Sequence, residues 1–211
     1  MRQPDVLAEF ERVFTEAGLP LSRSAATRPR PRLKLAAPVP MGIELRGEVL
    51  EVWFDELVPM EEIQTAAALL PDGLTLVDAR EVWQGFPSAA SQVRAAEYEV
   101  VVVQPNLSED RLRGAIVQLL AAPELLGRRR RGETERRSDA GTRDLRPYIE
   151  DVELLEIDNG AGTARLRMVL RLDPSGTGRP EDVVDALGLG LRARGVVRTR
   201  LVFVDTPPIA R

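Results

Sequence analysis

The sequence predicts an α+β protein built from two tandem ferredoxin-like (βαββαβ) halves, the first lacking its opening strand. Three observations carry this expectation. Hydrophobic residues recur with a helical period in some segments and alternate in others. The segments so defined read αββαβ over residues 1–90 and βαββαβ over residues 91–211. Proline, glycine and asparagine-glycine signals fall between them, where turns require them. With 211 residues, 44% hydrophobic and 29% charged, the chain has the make-up of a folded protein able to bury one substantial core or two small ones.

In the first half, Asp5 to Ala17 places Val6, Leu7, Phe10, Val13, Phe14 and Ala17 on one stripe of a helix, which Gly18 and Pro20 end. Arg32 to Ala37 and Arg46 to Phe54 read as strands joined through Pro38-Val39-Pro40-Met41-Gly42. Pro59 to Leu70 is a second helix, and Leu74 to Val82 follows the Pro71-Asp72-Gly73 turn as a third strand. In the second half, Glu97 to Gln104 is a strand whose valine run suits a central place in a sheet. Ser108 caps a helix with Glu109 and Asp110 in its first turn, at the positive end of the dipole. An arginine-rich insertion around residues 127–146 precedes a hairpin, Glu153 to Asp158 and Ala164 to Leu172, turning at Asn159-Gly160. Pro180 opens a last helix and Val196 to Val204 forms the last strand.

An opening ferredoxin-like strand lies inside its sheet, so its loss would leave backbone groups without partners. Three explanations stand open. The start lies upstream, a strand from elsewhere in the chain or from a second copy fills the gap, or the half is open; the first is favoured.

Cysteine and histidine are both absent. That excludes disulfides, the usual zinc sites, cysteine-ligated clusters and every imidazole relay. A carboxylate-only magnesium site stays open, since hard cations accept oxygen ligands alone, but no acid spacing singles one out, and neither metal nor cofactor is assigned. The longest apolar runs fall well short of the roughly 20 residues that cross a bilayer, and no charged-then-apolar leader opens the chain. A cytoplasmic location is expected.

The net charge of −4 hides a segregation. Leu21 to Ile43 holds Arg23, Arg28, Arg30, Arg32 and Lys34 and no acid, and Gly127 to Arg146 holds eight arginines against four acids. The body is correspondingly acidic. Lys34 is the only lysine among 29 basic residues, a bias that a GC-rich genome explains first.

The runs Ala17-Gly18-Leu19-Pro20-Leu21, Arg28-Pro29-Arg30-Pro31-Arg32-Leu33 and Ala37-Pro38-Val39-Pro40-Met41-Gly42-Ile43-Glu44 resemble a known uncharacterised family. So do Arg94-Ala95-Ala96-Glu97-Tyr98 and Asp144-Leu145-Arg146-Pro147-Tyr148-Ile149. This is the radical-SAM-linked protein family, a domain encoded beside, or fused to, radical S-adenosylmethionine enzymes. The resemblance implies such an enzyme as partner and, through neighbourhoods that include ribonuclease E, a link to RNA. Relatives usually carry His-Leu-Asp where this chain has Gln3-Pro4-Asp5, and a Gly-Phe lead where it has Ala25-Ala26-Thr27.

Three candidate sites follow. Arg28, Arg30 and Arg32 alternate with Pro29 and Pro31, which stiffen the backbone and suit phosphate binding at low ordering cost; a solvated entry loop is the plain alternative. Arg128, Arg129, Arg130, Arg131, Arg136 and Arg137 resemble stretches that track nucleic-acid backbones, although Glu133, Glu135 and Asp139 argue for a solvated hairpin tip. Asp144, Arg146 and Tyr148 form a family-like polar cluster, which pairing within a turn explains as simply. Aromatics are few, and Trp83, Phe86 and Tyr148 are those read as available for stacking. The leading expectation is a non-catalytic accessory or substrate-recognition module that works with a radical S-adenosylmethionine enzyme and binds RNA. A divergent RNA-processing or RNA-modifying enzyme using Asp144 and Arg146, and an adaptor using an exposed sheet edge of the first half, are the alternatives. The sequence leaves the oligomeric state open.

Overall fold

The computed structural model describes residues 3–83, 85–128, 142–173 and 176–204. In chain order its elements are α1 (Gln3–Glu16), β1 (Leu33–Leu35), β2 (Glu44–Leu45), β3 (Leu50–Val52), α2 (Met60–Ala67), α3 (Ala89–Gln92), β4 (Val93–Val103), α4 (Glu109–Ala121), β5 (Leu126–Arg128), β6 (Thr142–Asp144), β7 (Ile149–Asp158), β8 (Thr163–Asp173), β9 (Gly176–Thr177), α5 (Pro180–Ala186) and β10 (Arg192–Phe203). A 3-10 turn covers Arg146–Tyr148. The architecture is mixed α+β, with several sheets and, among the described residues, five α-helices. The chain divides into two units, residues 1–41 with 48–92 and residues 42–47 with 93–211.

In the first unit, α1 buries Phe10, Val13 and Phe14. Its end is set by Gly18 at φ +72°, a conformation that costs glycine nothing. The Gly18 N–H donates to the Thr15 carbonyl and the Leu19 N–H to the Phe14 carbonyl, both at 3.0 Å, closing the turn and folding Leu19 into the core. Strands β1 and β3 pair antiparallel, with Leu33 opposite Val52, Lys34 opposite Glu51 and Leu35 opposite Leu50. Because side chains alternate across a strand, Leu33, Leu50, Val52 and Phe54 pack on the core formed by α1, Leu21, Val58, Ile63 and Ala66. Phe14 meets Phe54 edge-on at 6.0 Å between ring centres. Burying each such side chain contributes roughly 1.5–3 kcal/mol.

The segment after α1 is tied to the end of this hairpin. The Ser22 N–H donates to the Trp53 carbonyl (2.9 Å), the Arg32 N–H to the Ser22 carbonyl (2.8 Å) and the Ser24 N–H to the Arg30 carbonyl (2.9 Å). Isolated bridges join Leu21 to Phe54 and Arg23 to Pro31.

Two expectations fail in this unit. Leu74 to Val82 forms no strand; Leu76 and Ala79 pack against the core, while Val77 is 85% exposed. Leu76 and Ala79 are three residues apart and so break a strand's alternation; a strand also needs a free backbone edge within reach, and here the side chains dock without one. The expected strand from Arg46 to Phe54 is shortened to Leu50–Val52, and the preceding Glu44–Leu45, not expected as a strand, pairs in the other sheet. The first unit therefore lacks the last strand of the expected αββαβ order, and the tandem ferredoxin-like arrangement is not confirmed.

In the second unit the sheet runs β2-β10-β4-β8-β7, with β9 attached to β8. Strand β2 lies parallel to β10, and β10, β4, β8 and β7 pair antiparallel in turn. One face carries Ala96, Tyr98, Val100 and Val102 from β4 and Leu166, Met168 and Leu170 from β8, all buried. Leu112, Ile116 and Leu119 of α4 and Val183 and Val184 of α5 are buried with them. Arg198, opposite Tyr98 in the register, is only 1% exposed. The chain reaches β10 at β2 through Gly47, where a Cβ would collide with the Thr199 carbonyl. Strands β5 and β6 form a separate two-stranded ladder at the base of the arginine-rich insertion.

Candidate nucleic-acid interface

The β1–β3 hairpin sends its apolar residues inward, so the alternate residues must share the outer face. These are Arg32 and Lys34 on one strand and Trp53 and Glu51 on the other, with Arg30 continuing the first row two residues earlier. Arg30, Arg32 and Lys34 are exposed and Trp53 is half-buried. The Trp53 N–H donates to the Arg32 carbonyl (3.1 Å), so the two residues face each other across the hairpin. Their side chains meet too, with the Arg32 guanidinium carbon 4.9 Å from the Trp53 ring centre, within cation–π range. Arg30 is fixed by its main chain, which bonds Ser24 Oγ (3.1 Å) as well as the Ser24 N–H. Arg28 stands exposed in the bend just before. Among the described residues no ion pair involves Arg28, Arg30, Arg32 or Lys34, whereas Arg23 reaches Glu11 at 3.8 Å. Glu51 turns one oxygen to the Ala89 N–H (2.8 Å), and its other oxygen is buried without a hydrogen bond.

The family-like cluster is put to a different use. Asp144 Oδ1 accepts from the Leu125 N–H and the Arg146 N–H, both at 2.9 Å. Arg146 donates to the carbonyls of Ile149 (2.6 Å) and Leu120 (2.8 Å). Both side chains thus bind main chain and lock β6, the 3-10 turn and the end of α4 together. Tyr148 lies under the Arg143 guanidinium at 5.4 Å and fills the space that Gly176 leaves open. Arg143 itself, 13% exposed, donates to Asp182 (3.2 Å) and to the Thr177 carbonyl (3.0 Å). Arg128 ends β5; Arg129, Arg130, Arg131, Arg136 and Arg137 lie outside the described residues.

Other arginines of the second unit face acids. On the sheet face away from Tyr98, Glu97 accepts from Arg167 Nε (2.9 Å), Arg200 Nη2 (3.0 Å) and Thr199 Oγ (3.3 Å). Arg167 also reaches Asp151 (2.9 Å) and Glu153 (3.4 Å). Arg165 pairs with Glu156 and Glu99, and Arg94 and Arg171 share Glu150. Burial alone would push the Glu97 carboxyl up; the hydrogen bonds and charges of Arg200 and Arg167 outweigh it and hold the group below its ordinary value. The hydrogen bond that Arg167 donates to Glu97 likewise raises the Arg167 pKa against the effect of burial. Among the described residues no three acids converge as a metal site requires, and no helix is long and apolar enough to cross a membrane.

A family model described as an uncharacterised protein conserved in bacteria, DUF2344, matches residues 3–180. The chain belongs to this family. The DUF2344 description names no activity and no partner enzyme, and no curated protein sequence matches the chain. Solved structures similar to this DUF2344 chain include a Cbf5–Nop10–Gar1 complex, at 16% identity and a TM-score of 0.40 over 54% of this chain and 32% of that one. An archaeal box H/ACA sRNP Nop10–Cbf5 complex matches at 15% identity and a TM-score of 0.47, over 95% of this chain and 44% of that one. The chain thus spans less than half the length of either, and likenesses this distant carry no argument about ligand or activity.

Within the DUF2344 chain, sequence reasoning missed Trp53 and Lys34 as members of the face. The signal was present: Glu51 and Trp53 alternate with Val52 and Phe54, so a strand that buries Phe54 must turn Trp53 outward. Of the aromatics read as available, Trp83 is 75% exposed, Phe86 is half-buried and Tyr148 is covered by Arg143.

Proposed function

We propose that the chain is a non-catalytic binding module that holds a phosphate-rich ligand, RNA foremost, along the outer face of the β1–β3 hairpin. One observation carries this reading: Arg28, Arg30 and Arg32 are exposed and outside any ion pair among the described residues, with no acid between Leu21 and Ile43 to answer them. Arg94, Arg165, Arg167, Arg171 and Arg200 on the second unit's sheet face carboxylates instead. Guanidinium groups held on a proline-stiffened segment meet phosphate oxygens with little further ordering. The non-catalytic half of the reading is supported by Asp144 and Arg146, of which Asp144 Oδ1 and both terminal nitrogens of Arg146 bind main chain.

Anisotropy of a labelled single-stranded RNA, titrated with protein over a range of salt, tests the reading. Each phosphate contact contributes about −0.7 to the slope of log K against log salt for a single strand. The triple variant R28A/R30A/R32A should therefore shed about 2 of that slope and bind more weakly at every salt concentration. An unchanged slope in a folded triple variant overturns the assignment. The run Arg128–Arg131 with Arg136 and Arg137 is proposed, from its charge alone, as a second contact for the same ligand class. Association with a radical S-adenosylmethionine enzyme rests on the sequence resemblance alone, and co-purification from the host tests it separately.

A further inference from the structure

Resting on that reading, we infer that the ligand is a single-stranded nucleic acid, one base of which stacks on the outer face of the Arg32 guanidinium. A guanidinium is a flat ion with two faces and a rim of donors. The Arg32 guanidinium carbon lies over the Trp53 ring, 4.9 Å from its centre, so the indole covers one side of the ion. Arg32 is exposed, which leaves the second face to solvent. An unpaired base can lie on such a plane as it does on an aromatic ring, forming a stack of indole, guanidinium and base.

The neighbouring charges suit the same occupant. Arg30 and Lys34 flank Arg32 at two-residue intervals, and both are exposed. At an extended rise of about 3.3 Å per residue, each lies roughly 6.6 Å along the row from Arg32. A nucleotide seated on Arg32 would thus place the phosphates on its two sides toward one cation each. A plain polyphosphate or an acidic peptide would use the charges and leave the plane idle. A base within a duplex already has both faces covered by its neighbours and could not reach it. Arg32 is assigned as the stacking platform, its rim still donating to a phosphate, with Arg30 and Lys34 as the flanking phosphate contacts.

The test compares a labelled short single-stranded RNA with an abasic ribose-phosphate oligomer of the same length, the RNA annealed to its complement, and the matching single-stranded DNA. Wild type should prefer RNA over the abasic oligomer by about fivefold or more, the lower end of what stacking one base confers, and DNA should show a preference of similar size. R32K keeps the charge and loses the plane, so RNA affinity should fall by about fivefold while affinity for the abasic oligomer stays within about twofold. W53L removes the support beneath the plane and should give the same pattern, with circular dichroism verifying that the unit remains folded. The inference is overturned if R32K binds RNA as wild type does, if it loses affinity equally for both oligomers, or if duplex RNA binds as well as the single strand. In each of these cases the binding reading itself survives. Failure of wild type to bind any of the four ligands sinks that reading instead.

Discussion

Replacing Glu97 by glutamine should weaken the second unit in a way that depends on pH. Glu97 is 15% exposed and receives two arginine donors, Nε of Arg167 at 2.9 Å and Nη2 of Arg200 at 3.0 Å. Hydrogen bonds to charged groups contribute roughly 1.5–3 kcal/mol each when well buried. Arg200 is 63% exposed and Arg167 keeps Asp151 and Glu153, so both bonds fall toward the lower end. A loss of about 1–2 kcal/mol for E97Q follows, which for a chain of this size lowers Tm by roughly 2–8 °C. The sign with pH is fixed by the depressed carboxyl. Its contribution is fully present above the unfolded value of about 4.3 and is lost as pH falls through the lower folded value. Urea unfolding followed by circular dichroism at pH 7 and again below pH 4 should show the wild type and E97Q converging in acid. An E97Q deficit of the same size at both pH values would refute the reasoning, because the ionised carboxylate would then not be its source.

Two further outcomes separate structural arginines from ligand-facing ones and test how β2 is seated. R146A leaves the carbonyls of Leu120 and Ile149 without their donor, so it should cost about 2–4 kcal/mol in chemical denaturation, while RNA anisotropy of the folded fraction stays at the wild-type value. G47A drives a methyl group into the Thr199 carbonyl and should cost about 2 kcal/mol. Hydrogen exchange should then report lost protection at the Arg46 amide, whose N–H donates to the Arg198 carbonyl.

What the sequence made legible was local. The stripe of Phe10, Val13 and Phe14 and the stop at Gly18 are written in adjacent residues, and α1 forms where they place it. The valine run of β4 does sit between β10 and β8, although Val101 is 38% exposed and one face stays partly open. What stayed hidden was the partner. Residues 74–82 follow a turn signal and read as a strand, yet pairing is a property of two segments and only one was in view. Glu44 and Leu45 carry no pattern at all; their place beside Val197 and Arg198 is a long-range choice. The Asp144-Arg146-Tyr148 cluster was visible as polar residues close together, but its use was not. A carboxylate that binds main-chain N–H groups and one that binds a ligand have the same letters, and only the positions of Leu125, Leu120 and Ile149 decide between them.

That distinction also explains why charge counts misdirect in a chain with a single lysine. A guanidinium's effect on its surroundings depends on which anion lies within reach. Arg167 is surrounded by Glu97, Asp151 and Glu153, so its field is largely answered within the protein. Arg30 and Arg32, leading into β1, and Lys34 within it stand about 6.6 Å apart at an extended rise, closer than the roughly 8 Å over which physiological salt screens charge. They therefore repel one another, and the hairpin carries that repulsion because its inner face, Leu33, Leu50, Val52 and Phe54, is held by the core. A polyanion laid along the row would replace repulsion with attraction without any rearrangement of the fold, and Arg167, already neutralised by its own acids, has no comparable gain to offer.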